Sequence, residues 1–240
     1  IYAVIKAVGS SSDGRSKSIY APDSRGQKRA LQQAYQNAEV SPNRIGMLEA
    51  HGTGTAAGDV CEAKSLTEYY SNFNIDQSSI PIGSIKSQIG HTRMAAGMAS
   101  LIKTALSLYY KVQPATLNVE NPNPKLGFDG SPFFINTSLR PWIHNQKNLK
   151  RAAAVSSFGF GGANFHVVME ESDTVSLPSS YHKPQVIFCG GDTKDQLIHN
   201  LTQLEAGLEQ EGPIYLKTFS KLFEPESQVA CDHRLTMVIA

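Results

Sequence analysis

A layered α/β domain with a largely parallel sheet, followed by a small α/β appendage, is the fold this sequence predicts. Three observations carry it. Strand-like and helix-like runs alternate as βαβαβα from Ile1 to Tyr110. The two richest turn motifs fall just after apolar runs, at the carboxyl ends of strands, where open α/β sheets place their ligands. Composition shifts to Ser172-Asp173-Thr174-Val175-Ser176-Leu177-Pro178-Ser179-Ser180 after Glu171, which reads as a linker.

Ile1 to Val8 is an apolar strand already in progress, with neither an initiator Met nor a signal-peptide layout, so the chain is expected to be part of something longer. Gly26 to Ala38 is the first helix, Ile45 to Ala50 the second strand, Asp59 to Tyr70 the second helix and Ile80 to Ser84 the third strand. Met94 to Tyr110 is apolar almost all round, so it is expected to be a central helix covered on both sides, between two sheets. Lys103 interrupts it, and it is short of the roughly 20 apolar residues that a membrane span needs. The prolines of Pro114 to Pro124 prevent a regular helix and predict an ordered, extended connection. Phe133 to Asn136, Ala152 to Ser156 and Phe165 to Met169 complete the strands of the first domain, residues 1–171. In the appendage, residues 172–240, a strand is expected at Gln185 to Cys189, a helix at Lys194 to Gly207 and a strand at Leu235 to Ala240.

The 240 residues are 40% hydrophobic and 18% charged with a net charge of +1, ordinary for a globular protein. Lys and Arg are scattered, which argues against nucleic-acid partners and a basic membrane-binding face. Cys61, Cys189 and Cys231 are odd in number and irregular in spacing, so neither a disulfide framework nor a metal site is expected, and a reducing, cytoplasmic compartment fits best.

The chemistry-bearing segments are Glu49-Ala50-His51-Gly52-Thr53-Gly54-Thr55, then Gly83-Ser84-Ile85-Lys86-Ser87-Gln88-Ile89-Gly90-His91-Thr92, then Ser156-Ser157-Phe158-Gly159-Phe160-Gly161-Gly162-Ala163-Asn164. His51 and His91 each close a strand and open a glycine turn one βα unit apart, so their side chains can converge on one cavity. Two neutral imidazole N–H groups aimed at one oxygen would stabilise an enolate or tetrahedral oxyanion, which suits carbon–carbon bond chemistry on a thioester. Burial and a nearby lysine would lower a histidine pKa and keep the rings neutral. Lys86 is expected to be buried, and Glu62, on the first turns of the following helix, is its candidate partner. His144, His166, His182, His199 and His233 take structural roles.

Two rival readings attach to the first motif. Gly52-Thr53-Gly54-Thr55-Ala56-Ala57 satisfies the dinucleotide fingerprint G-x-G-x-x-A, which would make the chain a nucleotide-dependent oxidoreductase. That fingerprint also wants an acid at the end of the next strand, where Ser84-Ile85-Lys86 stands; Glu68 and Asp76 have the right separation but fall in a helix or loop. Cys61 lies at a helix start, where a thiol can be activated, but its neighbours are expected to pack, and a small buried side chain is the preferred reading.

Taken together, the three ordered motifs resemble the β-ketoacyl synthases of the thiolase superfamily. The resemblance runs from Ile1 to about Glu171, the C-terminal half of a ketosynthase with a thiolase-like αβαβα fold, and the tail resembles the linker that leads to an acyltransferase. It implies a decarboxylative Claisen condensation of malonyl units, carried on the phosphopantetheine of an acyl carrier protein, with an acyl chain on an active-site cysteine. That cysteine belongs to the half absent here; no metal and no directly bound cofactor are implied. By motif, His51 and His91 are the catalytic histidines, Lys86 and Glu62 support them, Phe160 is the gating residue whose N–H joins an oxyanion hole, and Phe158 lines the same turn. A homodimer and an adjacent acyltransferase are implied as partners, and a non-condensing, chain-length-factor-type partner is the alternative. Gly90 to Gly97 and Asn118 to Pro124 look most like ketosynthases of microbial polyunsaturated fatty-acid synthases. Asp59-Val60 in place of Asp-Pro, and Ser10-Ser11-Ser12-Asp13-Gly14 without the common Asn-His, depart from the pattern.

Overall fold

In a computed structural model, residues 1–15, 21–143, 150–173, 185–211 and 232–239 are described. They fall into two units, Ile1–Val175 and Ser176–Ala240. The first unit runs β1 (Val4–Ser12), α1 (Ser24–Ala38), β2 (Ile45–Glu49), α2 (Ala56–Tyr70), β3 (Ile80–Gly83), α3 (Lys86–Ile89), α4 (Ala96–Tyr110), β4 (Val112–Gln113), β5 (Phe133–Ile135), β6 (Arg140–Pro141), β7 (Ala152–Phe158) and β8 (Ala163–Glu170). The second holds β9 (Gln185–Gly191), α5 (Lys194–Glu211) and β10 (His233–Ile239).

Local chemistry sets the helix starts. Asp23 caps α1 by accepting the Arg25 N–H, and Thr55 caps α2 by accepting from Gly58, so each helix begins two or three residues earlier than its apolar periodicity suggests. Between one face of the sheet and these helices lies a core that includes Leu31, Tyr35, Leu48, Leu66, Tyr70, Ile80 and Phe133. Each such Leu, Ile or Phe side chain stabilises the fold by about 1.5–3 kcal/mol through removal from water.

The main sheet has the order β1-β8-β7-β2-β3-β5. The parallel pairing expected from βαβ alternation holds for β7, β2, β3 and β5, whereas β8 is antiparallel to both β7 and β1. The reason is the connection: Gly159 to Gly162 is too short for a crossover, so the chain can only return alongside itself. The stretch from Pro114 is ordered and free of regular helix as far as Asn123, tied by Thr116 N–H to the Asn136 carbonyl (2.7 Å) and by Asn118 Nδ2 to the Ser87 carbonyl (2.8 Å), but it is not extended throughout: Asn118 is left-handed, at φ 60, and a 3-10 turn opens at Pro124.

α4 departs from its expected burial on both sides. Its inner face packs Leu101, Ala105 and Leu108 on the sheet with Met47, Trp142, Ala153 and Val155. Its outer face presents Met98, Ile102, Leu106 and Tyr110, spaced by four, with Met94 in the preceding turn; all five are exposed. One sheet covers one face only.

His166 has the structural role assigned to it. Fully buried, it pairs Nδ1 with Ser156 Oγ (3.0 Å) and Nε2 with the Tyr35 hydroxyl (3.2 Å), which in turn meets the Tyr70 hydroxyl. Burial pushes the ring down to about 3 from an ordinary 6.5, so the unfolded chain takes up the proton first as pH falls. His166 therefore leaves stability intact above pH 6.5 and erodes it between 6.5 and 3. Urea unfolding of His166→Gln at a series of pH values is expected to show a shallower acid-side decline than wild type; an unchanged slope would contradict this.

In the second unit, β9 and β10 pair antiparallel with Cys189 opposite Leu235, and buried Leu204 of α5 shares this unit with buried Cys189. α5 extends to Glu211, past the expected end at Gly207. His144, His182, Cys231, Ala240 and most of the expected linker lie outside the described residues. Among the described residues no helix is long and apolar enough to cross a membrane, and no group of three His, Cys, Asp or Glu residues could hold a metal ion.

Candidate active site

The site forms where β2 and β3 part. Their parallel ladder sets Glu49 opposite Gly83 and ends at Ala50 N–H to the Gly83 carbonyl (2.8 Å). His51 leaves β2 at this point. After β3 the chain makes the single turn α3, and Gly90, at φ 75, turns it back to His91. The two imidazoles meet edge to face, with ring centroids 5.7 Å apart and planes at 88°. Phe158, at the end of β7, places its ring 6.2 Å from that of His51. Gly52, at φ 44, passes so close to β3's continuation that a Cβ on it would lie 2.7 Å from Ser84 Cβ; a side chain there would push the two segments apart.

Glu62, buried on α2, holds the first turn. Its Oε1 accepts the His51 N–H (2.8 Å) and its Oε2 the Gly52 N–H (2.9 Å). The expected ion pair with Lys86 is therefore not formed: the Glu62 oxygens are committed to backbone N–H groups, and Lys86 makes no salt bridge with it among the described residues. Lys86 is buried in the field of Glu62, Glu49 and Asp59; desolvation still lowers its pKa.

Burial, reinforced by the Lys86 and His91 charges, pushes His51 down to about 4, so the ring is neutral near pH 7. Its buried Nδ1 has no hydrogen-bond partner among the described residues. His91 is exposed, and its Nδ1 accepts the Arg93 N–H at 2.9 Å. In the neutral ring the proton must then sit on Nε2, which makes His91 a hydrogen-bond donor at the far edge of the ring.

The same geometry disposes of the dinucleotide reading. A pyrophosphate needs the free N–H groups of the glycine turn, yet Glu62 holds those of His51 and Gly52, and Asp59 Oδ1 accepts that of Gly54 (3.2 Å). Glu68 is ion-paired with Lys28, at 2.6 Å, and Lys64. Cys61 is half-buried, and burial pushes its thiol up, the opposite of an activated nucleophile. Thr53 and Thr55 share a hydroxyl contact of 3.0 Å.

The third motif is a tight turn between β7 and β8. Phe158 is buried at its root, while Phe160, at its tip, is 81% exposed. Gly161 and Gly162 have φ of 91 and 79, and the Gly159 and Gly162 amides close the turn onto the Ala163 and Gly159 carbonyls. Buried Asn164 donates to Asp13 Oδ1 (2.7 Å), and the Asp13 N–H to the Gly162 carbonyl (2.8 Å), so the loop after β1 braces the turn.

Sequence reasoning missed two charged residues beside the site. Glu49, fully buried, accepts the Ile85 N–H (2.6 Å) and the Ser100 hydroxyl (3.3 Å) on Oε1 and forms a salt bridge with Lys103 on Oε2 (2.7 Å). Two signals pointed there: a lysine in an otherwise apolar helix, and a carboxylate in the first motif with no assigned role.

Residues 2–120 match the family described as the β-ketoacyl synthase C-terminal domain, and residues 122–234 match the ketoacyl-synthetase C-terminal extension. A polyunsaturated fatty acid synthase polypeptide from Thraustochytrium sp. (strain ATCC 26185 / S-3) is 38% identical over 238 residues, 93% of this chain and 8% of that protein. A phenolphthiocerol/phthiocerol polyketide synthase polypeptide from Mycobacterium tuberculosis (strain CDC 1551 / Oshkosh) is 40% identical over 223 residues, 89% of this chain and 15% of that protein. Among solved structures, the ketosynthase from module 1 of the bacillaene synthase of Bacillus amyloliquefaciens FZB42 superposes with a TM-score of 0.67 at 34% identity, covering 88% of this chain and 36% of that one. The ketosynthase from module 6 of the Bacillus subtilis 168 bacillaene synthase gives 0.70 at 30%, covering 100% and 41%. The chain thus spans 8% and 15% of these two synthase polypeptides and 36% and 41% of these two ketosynthase chains.

Proposed function

The chain belongs to the β-ketoacyl synthase family, and from that premise we propose that it is the histidine-bearing half of a condensing enzyme in polyketide or polyunsaturated fatty-acid assembly. The observation that carries this is the meeting of His51 and His91 at 5.7 Å, both rings at the mouth of the parted strands. A malonyl thioester oxygen between the N–H donors of the two rings would have its developing enolate charge stabilised as the bond to the carboxyl group breaks and carbon dioxide leaves. The carbanion then attacks the carbonyl of an acyl thioester and expels the cysteine thiolate that carried it. None of the cysteines of this chain is assigned that role.

Malonyl units are delivered on the phosphopantetheine arm of an acyl carrier protein; the whole protein is a cytoplasmic homodimer with an acyltransferase nearby. The uncovered row on α4 packs against the remainder of the ketosynthase, which explains why a single sheet leaves it exposed.

Release of carbon dioxide from malonyl carrier protein by the whole protein tests the reading, and its pH profile tests the role of Glu62. Burial pushes this carboxyl up to about 7. Below that pH one oxygen becomes a donor and can no longer accept a backbone N–H, so the His51 turn loosens. The rate is expected to fall as pH drops through about 7, well above the titration of His51 at about 4. Glu62→Gln is expected to flatten this limb and lower the plateau about tenfold, in line with losses on misplacing a catalytic group. Persistence of the limb in the variant would remove Glu62 from the assignment.

A further inference from the structure

We propose that Glu49, gripped by Ser100 and Lys103 of α4, is a positioning residue that sets the spacing between the His51 turn and the Lys86–His91 segment, a reading that rests on the decarboxylation site proposed above. The ladder between β2 and β3 stops at Ala50 and Gly83. One step further on, the Glu49 carboxylate replaces the missing rung by accepting the Ile85 N–H at 2.6 Å. Glu49 stands two residues before His51, and Ile85 one residue before Lys86. The short α3 and the Gly90 turn carry that constraint on to His91.

α4 fixes the carboxylate from the other side. Lys103 meets Oε2 at 2.7 Å and Ser100 meets Oε1 at 3.3 Å, with Glu49 at 0% and Lys103 at 9% exposure. Thus three segments, the end of β2, the approach to α3 and the middle of α4, converge on one side chain. A buried ion pair is weak evidence for stability, since an apolar pair of similar volume is often as stable. An apolar pair cannot bridge the gap at Ile85.

That difference supplies the test, made in the whole protein with malonyl carrier protein as substrate. The double variant Glu49→Leu with Lys103→Met removes both charges and the bridge; Glu49→Gln with Lys103→Met removes both charges but keeps an amide oxygen for Ile85. The Leu/Met protein, with the Ile85 N–H left unpaired, is expected to fold with a modestly lowered thermal midpoint, to keep its KM and to lose about 30-fold in kcat for decarboxylation, within the range for a displaced catalytic geometry. The Gln/Met protein is expected to recover at least about tenfold of that loss. Equal kcat in the two double variants overturns the proposal. Should the Leu/Met protein fail to fold, Glu49→Asp decides: it keeps the charge but is one methylene too short to hold Ile85 and Lys103 together. Its kcat is expected to fall with KM unchanged, and a wild-type kcat overturns the proposal. A wild-type protein that releases no carbon dioxide would instead remove the functional reading itself.

Discussion

Replacing His91 with alanine in the whole protein is expected to lower malonyl decarboxylation by about 10²–10³-fold, the usual loss when one preorganised donor to a developing oxyanion is removed. The ring is held for donation: its Nδ1 is occupied by the Arg93 N–H, and the proton left on Nε2 is the one the substrate oxygen would meet. His51, whose ring centroid lies 5.7 Å from that of His91, offers a second donor, kept neutral by burial and by the positive charge of Lys86. Because the two act on one oxygen, His51→Ala combined with His91→Ala should cost little more than the more damaging single change. Decarboxylation at the wild-type rate in His91→Ala would end the assignment. Substrate binding should change far less than turnover, since the charge that the ring stabilises develops only in the transition state.

The largest expected effect on folding comes from a position remote from the site. Gly9, buried in the middle of β1, lies under α1 so closely that a Cβ there would overlap the Ala30 carbonyl oxygen and lie 2.5 Å from the Ala34 amide nitrogen. Both obstacles are helix backbone, which cannot swing aside as a side chain can. Gly9→Ala is expected to cost about 3 kcal/mol, the upper range for overpacking, read as a lowered midpoint in urea unfolding of the whole protein. A midpoint within error of wild type would show that α1 can shift freely.

Gly9 also shows where the sequence misleads. A glycine ends an apolar run, so the first strand reads as stopping at Val8, whereas β1 continues to Ser12 because the missing side chain is what lets α1 approach. The alternation of strands and helices, the parallel half of the sheet and the place of His51 were legible because apolar periodicity and glycine turns are local properties; His91, expected to close a strand, instead follows α3 and Gly90, because the chain makes a helical turn after β3 before it comes back to the site. The antiparallel edge followed from the four-residue span between β7 and β8, a length that could have been read as a hairpin. What Glu62 holds was not legible. Its spacing from His51 and Lys86 fits either partner, and only the folded turn shows that two backbone N–H groups take the carboxylate. The bridge from Glu49 to Ile85 is invisible for the same reason, since it joins residues 36 apart through a gap in a ladder.

The row Met98, Ile102, Leu106 and Tyr110, with Met94 before it, places contrary demands on one helix face. A short chain made alone would gain from polar residues there, which water tolerates and which discourage clumping. A longer protein that seals this face needs the same positions oily and closely fitted. Substitutions selected for good behaviour of this stretch alone would therefore be the ones that spoil such a seal, and the tolerance of these positions to change would report which of the two demands has governed them.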